Sequence, residues 1–212
     1  MPVLNMWVMS TRELLIIKAT ELFAKKGYDG TTVKDIADAA DANISLVSYY
    51  FGGKEALFQE CLKDFGKERM VMADKILQVP RSQQEFNIRF EMFIDEGIRL
   101  YSEQTHLLTL IHNEFESKGP KAIETFKSTF LKIVDMIITF FDAAQKQGFI
   151  KKDVSPAMTA FLLMGSFRNI FLHPDLKKVM LGFTVDNEEG KKKVKEHFMK
   201  IFLHGICNDT KR

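Results

Sequence analysis

Residues 31–54, TTVKDIADAADANISLVSYYFGGK, constrain this chain more than any other stretch. Thr32 followed three residues later by Asp35 reads as a capping box. Val33, Ile36, Ala37 and Ala40 then recur on one face of a short helix. The pattern breaks at Asp41-Ala42-Asn43 and resumes from Ile44 to Phe51, with Asn43 placed as an N-cap. Two short helices joined by a tight turn make a helix-turn-helix.

The second helix can be phased at about 100° per residue. Val47 and Phe51 then share the core side, while Ser45 and Tyr49 point about 160° away from Val47. Leu46 and Ser48 flank them, and Ile44 and Tyr50 lie near the core edge. An outer face of Ser, Leu, Ser and Tyr, with no charge to solvate it, suits a helix laid in a major groove. There hydroxyls meet base edges and phosphates, and an apolar side chain meets a thymine methyl. Lys54 opens the next helix after Gly52-Gly53, where free N–H groups and a lysine form an anion site suited to a DNA phosphate. The candidate DNA-binding residues are Thr32, Asn43, Ser45, Leu46, Ser48, Tyr49, Tyr50 and Lys54. The competing reading makes the tyrosines packing aromatics and Lys54 a solvated turn residue.

Together with the preceding helix, this stretch resembles the amino-terminal domain of the TetR/AcrR family of bacterial transcriptional regulators. The resemblance rests on Leu22-Phe23, Gly27-Tyr28, Thr31-Thr32, Ile36-Ala37, Tyr49 to Phe51 and Lys54-Glu55, in that order, and covers about a quarter of the chain. The sequence departs from the family at Asp41, where glycine is usual, and at Asn43, Ser45 and Ser48. The family likeness therefore implies the fold but not the DNA sequence that is read.

Charge would not have nominated a nucleic-acid binder. The net charge is +2, and residues 1–78 hold ten Lys and Arg against eleven Asp and Glu, a net of −1. Binding must then depend on a few placed groups, doubled by a dimer. With 212 residues, 46% of them hydrophobic, the chain can build a small domain fused to a larger one. Cys61 and Cys207 match no metal or disulfide spacing, so no cofactor or metal is expected, and a cytoplasmic location is. The longest apolar candidate, Ala160 to Phe167, stops at Arg168, too short to span a membrane.

In chain order, residues 1–9 read as a loose leader from an upstream start codon, with neither arginine nor lysine for a minor-groove arm. Ser10 with Glu13 boxes the first helix, which Gly27 closes. A long helix from Lys54 to about Gln78 links the DNA-binding domain, residues 10–54, to an effector-binding and dimerisation domain, residues 55–212. Further helices open at Ser82 with Glu85, at Thr105, at Gly119-Pro120, at Ser155-Pro156 and at Asp186 with Glu189. No strand alternation, repeat or low-complexity tract occurs. The expected fold is all-α, about nine helices, with a small three-helix DNA-binding domain before a larger helical one.

The helices from Pro156 and from Asp186 have too many apolar positions for one buried face. Met158, Leu162, Gly165 and Asn169 on one, and Val194, Phe198, Ile201 and Phe202 on the other, are the expected interface of a two-fold homodimer. The resemblance implies dimerisation through the same carboxy-terminal helices. It also implies a small-molecule effector, held in a largely apolar cavity lined from Phe86, Phe90, Phe93, His112, Phe126, Phe130 and Arg168, with Ile133 and Met164 as further lining. The residues alone are more simply read as core.

Enzymatic motifs fail on inspection. His112-Asn113-Glu114 has no P-C-x-x-C after it, Gly52-Gly53-Lys54 lacks the rest of a phosphate loop, and neither H-E-x-x-H nor G-x-S-x-G occurs. The expected function is a ligand-responsive repressor that binds a palindromic double-stranded operator as a dimer and leaves it when an apolar effector binds. The alternatives are a chromosome-bound factor acting through a protein partner and a helical ligand-binding dimer without DNA binding.

Overall fold

The computed structural model describes residues 9–117, 120–171 and 174–207, and the side chains of these except 113–130 and 174–177. All regular structure among them is helical, apart from one isolated bridge between Ile150 and Cys207. The expected leader lies outside the described residues but for Met9.

The chain divides into two compact units, residues 1–66 with 106–125, and residues 67–105 with 126–212. These units do not coincide with a division at residue 54, because the boundary falls inside a long helix and a later helix joins the first unit.

In the first unit, α1 (Thr11–Lys26) opens on a complete capping box. Ser10 Oγ accepts from the Glu13 N–H at 3.3 Å, and Glu13 accepts from the Ser10 N–H at 2.9 Å. It closes at Gly27, whose φ of 76° only glycine adopts without strain. Leu15, Ile16, Ala19 and Phe23 are its buried face. Helix α2 (Val33–Ala39) opens on the Thr32–Asp35 box, and α3 (Ser45–Phe51) follows the turn. Asp41 sits in that turn at φ 47°, the sole described non-glycine residue with positive φ. Helix α4 (Lys54–Ile76) is continuous for 23 residues, about 35 Å at 1.5 Å per residue, and the unit boundary lies within it. Helix α6 (Thr105–Ser117) completes this unit with the first residues of α7 (Pro120–Lys146).

The second unit is built on α5 (Gln83–Glu103), with α8 (Pro156–Phe171) and α10 (Glu188–Phe198) packed on it. Its core is aromatic. Phe86 stacks on Phe140 at 5.2 Å, Phe90 tilts against Phe141 at 6.0 Å, and Phe167 stacks on Phe198 at 4.7 Å. Phe167 also lies parallel to Tyr101 at 5.8 Å, in a seat that Gly97 opens. A methyl group at Gly97 would come within 2.4 Å of that ring. Burial among these rings pushes the Tyr101 hydroxyl up to about 12.

Two details depart from the sequence reading. The last helix is capped by Asn187, whose side chain accepts from the Gly190 N–H at 2.8 Å, not by Asp186 with Glu189. Gly190 stands there because the Thr184 carbonyl passes 1.8 Å from where a methyl group would be. A short helix, α9 (Pro174–Leu181), lies between α8 and α10 where none was expected. Beyond Phe198 the last helix widens into a π-turn, Met199–Leu203, before a final turn at His204–Ile206.

Candidate DNA-binding surface

Helix α3 is anchored by one side chain. Val47 is fully buried, Leu46 and Phe51 are half-buried, and the remaining side chains of the helix are exposed. Tyr49 is 79% exposed and meets only the edge of Tyr50, at 5.1 Å. Ser45 and Ser48 lie on the same open side, as the helical phase predicts, and Ile44 is more open than a core-edge position. No carboxylate or cation belongs to this helix.

The turn before α3 is held by Asn43. Its side-chain oxygen accepts from the Ser45 N–H at 2.9 Å and from the Ser45 hydroxyl at 2.7 Å. Regular helix begins at Ser45, one residue later than an N-cap at Asn43 requires, yet Asn43 still supplies the capping bond. Thr32 is likewise committed locally, accepting from the Asp35 N–H at 3.0 Å while its hydroxyl donates to the Asp35 carboxylate at 2.7 Å. The backbone and hydroxyl of Thr32, reinforced by Lys26, bring the Asp35 carboxyl down to about 2.

Lys54 corrects the sequence reading. Its ammonium does not project from the helix start as a free anion anchor. It donates to the Thr31 carbonyl at 2.8 Å and lies over the Tyr28 ring at 4.3 Å. Arg12 is also engaged, paired with Glu60 at 2.9 Å and stacked over Phe51 at 5.1 Å. Sequence periodicity gave no sign of either contact, since both join residues distant along the chain. Lys25 and Lys34 are exposed and have no hydrogen bond or ion pair among the described residues.

The expected effector-lining residues divide between the two units. Phe86 and Phe90 are fully buried and stacked into the aromatic core. Phe93 is half-buried, with its ring edge-on to Phe167 at 6.3 Å. His112 is half-buried on α6 in the first unit, whereas Arg168 is exposed near the end of α8 in the second. The side chains of Phe126 and Phe130 lie outside the described residues.

The expected dimer residues separate by helix. Met158, Leu162, Gly165 and Asn169 are all exposed along α8, and so is Phe161. On the last helix Ile201 is exposed, but Val194 and Phe198 are buried within their own unit and Phe202 is half-buried. Val194 and Phe198 are therefore core residues, because α10 turns them onto α5 while Lys195 bridges Glu91 and Asp95 beside them, each at 2.8 Å.

Residues 15–61, which hold α2, α3 and most of α1, match the model for bacterial regulatory proteins of the tetR family. The helix-turn-helix segment is thus similar to that of the tetR family. A Bacillus subtilis (strain 168) protein described as a probable HTH-type transcriptional regulator, YttP, is 43% identical over 56 residues, which are 26% of this chain and 27% of YttP. The likeness to HTH-type regulators extends further along the chain at lower identity. The HTH-type transcriptional repressor BepR of Brucella suis biovar 1 is 24% identical over 77% of this chain and 81% of its own. Among solved structures, the fatty acid degradation regulator FadR of Bacillus halodurans superposes with a TM-score of 0.74 at 11% identity, covering 93% of this chain and 96% of that one. The MbdR regulator of Azoarcus sp. CIB gives 0.68 at 17% identity, covering 94% and 100%. At such identities the superpositions establish a shared fold.

Proposed function

We propose that this protein is a TetR-family transcriptional repressor that reads a palindromic operator as a homodimer, with α3 in the major groove, and that a small, largely apolar effector releases it. The observation that carries the reading is the outward face of α3. A helix on which only Val47 is fully buried leaves Tyr49 79% exposed between Ser45 and Ser48, with no charge on the helix to explain its display to water. Repressors among the relatives, including BepR, support the direction of control.

Dimerisation follows from the exposed apolar face of α8, since two half-sites one helical turn apart need two reading helices. The effector acts by shifting the population toward a state in which α4 is displaced; α4 is suited to this because it runs unbroken from beside α3 across the unit boundary. The aromatic load of the second unit supports an apolar effector. No described helix is long and apolar enough to cross a membrane, and we place the protein in the cytoplasm as a non-enzymatic regulator.

The test is selection of duplexes from a random-sequence library by the full chain, followed by binding titrations. Tyr49→Ala should weaken the selected duplex by about 1–3 kcal/mol and alter base preference at one position, with melting temperature unchanged. Enrichment of no sequence by the wild-type chain would overturn the reading.

A further inference from the structure

The helix-turn-helix is a loop whose two ends are fastened by a single side chain. Thr31 stands directly before the cap of α2 and Lys54 is the first residue of α4, so the 23-residue step between them encloses both α2 and α3. The Lys54 ammonium closes that loop on the Thr31 carbonyl at 2.8 Å, under a lid formed by the Tyr28 ring at 4.3 Å.

Both anchor points are rigid. Thr31 is fully buried, and its hydroxyl donates to the Gly27 carbonyl at 2.8 Å and the Leu22 carbonyl at 3.2 Å, tying it to the end of α1. Gly30, just before it, admits no larger residue, because a methyl group there would lie 2.3 Å from the Lys26 carbonyl. Tyr28 is fixed by Phe23 at 5.8 Å and by Phe58 of α4 at 5.0 Å. The start of α4 therefore cannot shift along its axis without either breaking this contact or carrying the base of α2 with it.

We infer that Lys54 is a positioning residue for operator recognition, holding α2 and α3 in register with α4 through Thr31 and Tyr28 rather than by gripping a phosphate. The inference rests on the DNA-binding reading and adds to it the contact through which a displacement of α4 reaches the reading helix. A half-buried ammonium already engaged by a carbonyl and a π-face gains little from a phosphate, whereas its removal leaves the loop open at its base.

The test compares Lys54→Gln, Lys54→Arg, Tyr28→Leu and the double variant Tyr28→Leu/Lys54→Gln in the full chain. Each is titrated against the duplex that wild type selects and against a scrambled duplex of equal length, over a range of salt. Lys54→Gln and Tyr28→Leu should each lose about tenfold in the ratio of selected to scrambled affinity. Their salt slopes should match wild type, their losses should be non-additive in the double variant, and Lys54→Arg should recover most of the ratio. A slope reduced by about 0.9 per protomer in Lys54→Gln but not in Tyr28→Leu would make Lys54 a phosphate ligand and overturn the inference. Lowered melting temperatures with an unchanged affinity ratio would overturn it as well, leaving a purely structural contact. If wild type selects no duplex, the DNA-binding reading has failed on its own account. The fastening is then judged by melting, where non-additive losses in the double variant sustain it and additive losses refute it.

Discussion

Helices α8 and α10 carry similar apolar stripes, and the fold treats them in opposite ways. Val194 and Phe198 of α10 are each 3% exposed, whereas Phe161 and Leu162 of α8 are 73% and 55% exposed. The difference lies in what the opposite side of each helix offers. Helix α8 has an inner face of Thr159, Ala160, Leu163, Phe167 and Phe171, whose small residues let it lie close to α5 and whose rings engage Tyr101 and Phe93. With that face satisfied, the stripe from Met158 to Asn169 is surplus to the core. Helix α10 has only one apolar side, since its other faces carry Lys192, Lys193 and Glu196, and that side goes inward. An apolar stripe states that a surface wants covering; only the second face of the same helix tells whether the chain covers it itself.

Three substitutions sharpen or break this contrast. Phe198→Ala removes a ring stacked on Phe167 at 4.7 Å and should cost about 3–5 kcal/mol in denaturant unfolding of the second unit. A cost below about 1 kcal/mol, the range for exposed sites, would show that the ring is not core. Phe161→Glu on α8 should raise the dimer dissociation constant by about tenfold to a hundredfold in sedimentation, with the unfolding midpoint at low concentration unchanged. A variant that stays dimeric would move the interface elsewhere. The smallest effect concerns a glycine. A methyl group at Gly165 would meet no heavy atom within 4 Å, so Gly165→Ala should stabilise the monomer by about 0.5–1 kcal/mol through helix propensity. The same change weakens the dimer if two α8 helices approach closely there, and mass photometry as a function of concentration separates the two effects.

The two cysteines behave as packing residues. Cys61 is buried, with Sγ 3.5 Å from the Ile16 carbonyl, and burial pushes its thiol up to about 11, so it stays protonated at neutral pH. Cys207 is half-buried beside Gln83, and burial raises its thiol in the same direction.

Local sequence was enough to place the elements that depend on neighbours within one or two turns. Both capping boxes at Ser10 and Thr32, the stop at Gly27, the proline starts at Pro120 and Pro156, and the inward Val47 of α3 are all fixed by interactions spanning four residues or fewer, so periodicity exposes them. The open face of α3 was legible for the same reason. The engagement of Lys54 with Thr31 and Tyr28, the burial of Phe86 and Phe90 among Phe140 and Phe141, and the inward turn of Val194 and Phe198 were not. Each depends on which distant surface arrives opposite the residue, and a helical pattern carries no record of that. Sequence determined where helices run and which of their sides seek cover; tertiary packing decided which sides the chain covers itself, because burial is a property of two surfaces and a single stretch specifies only one.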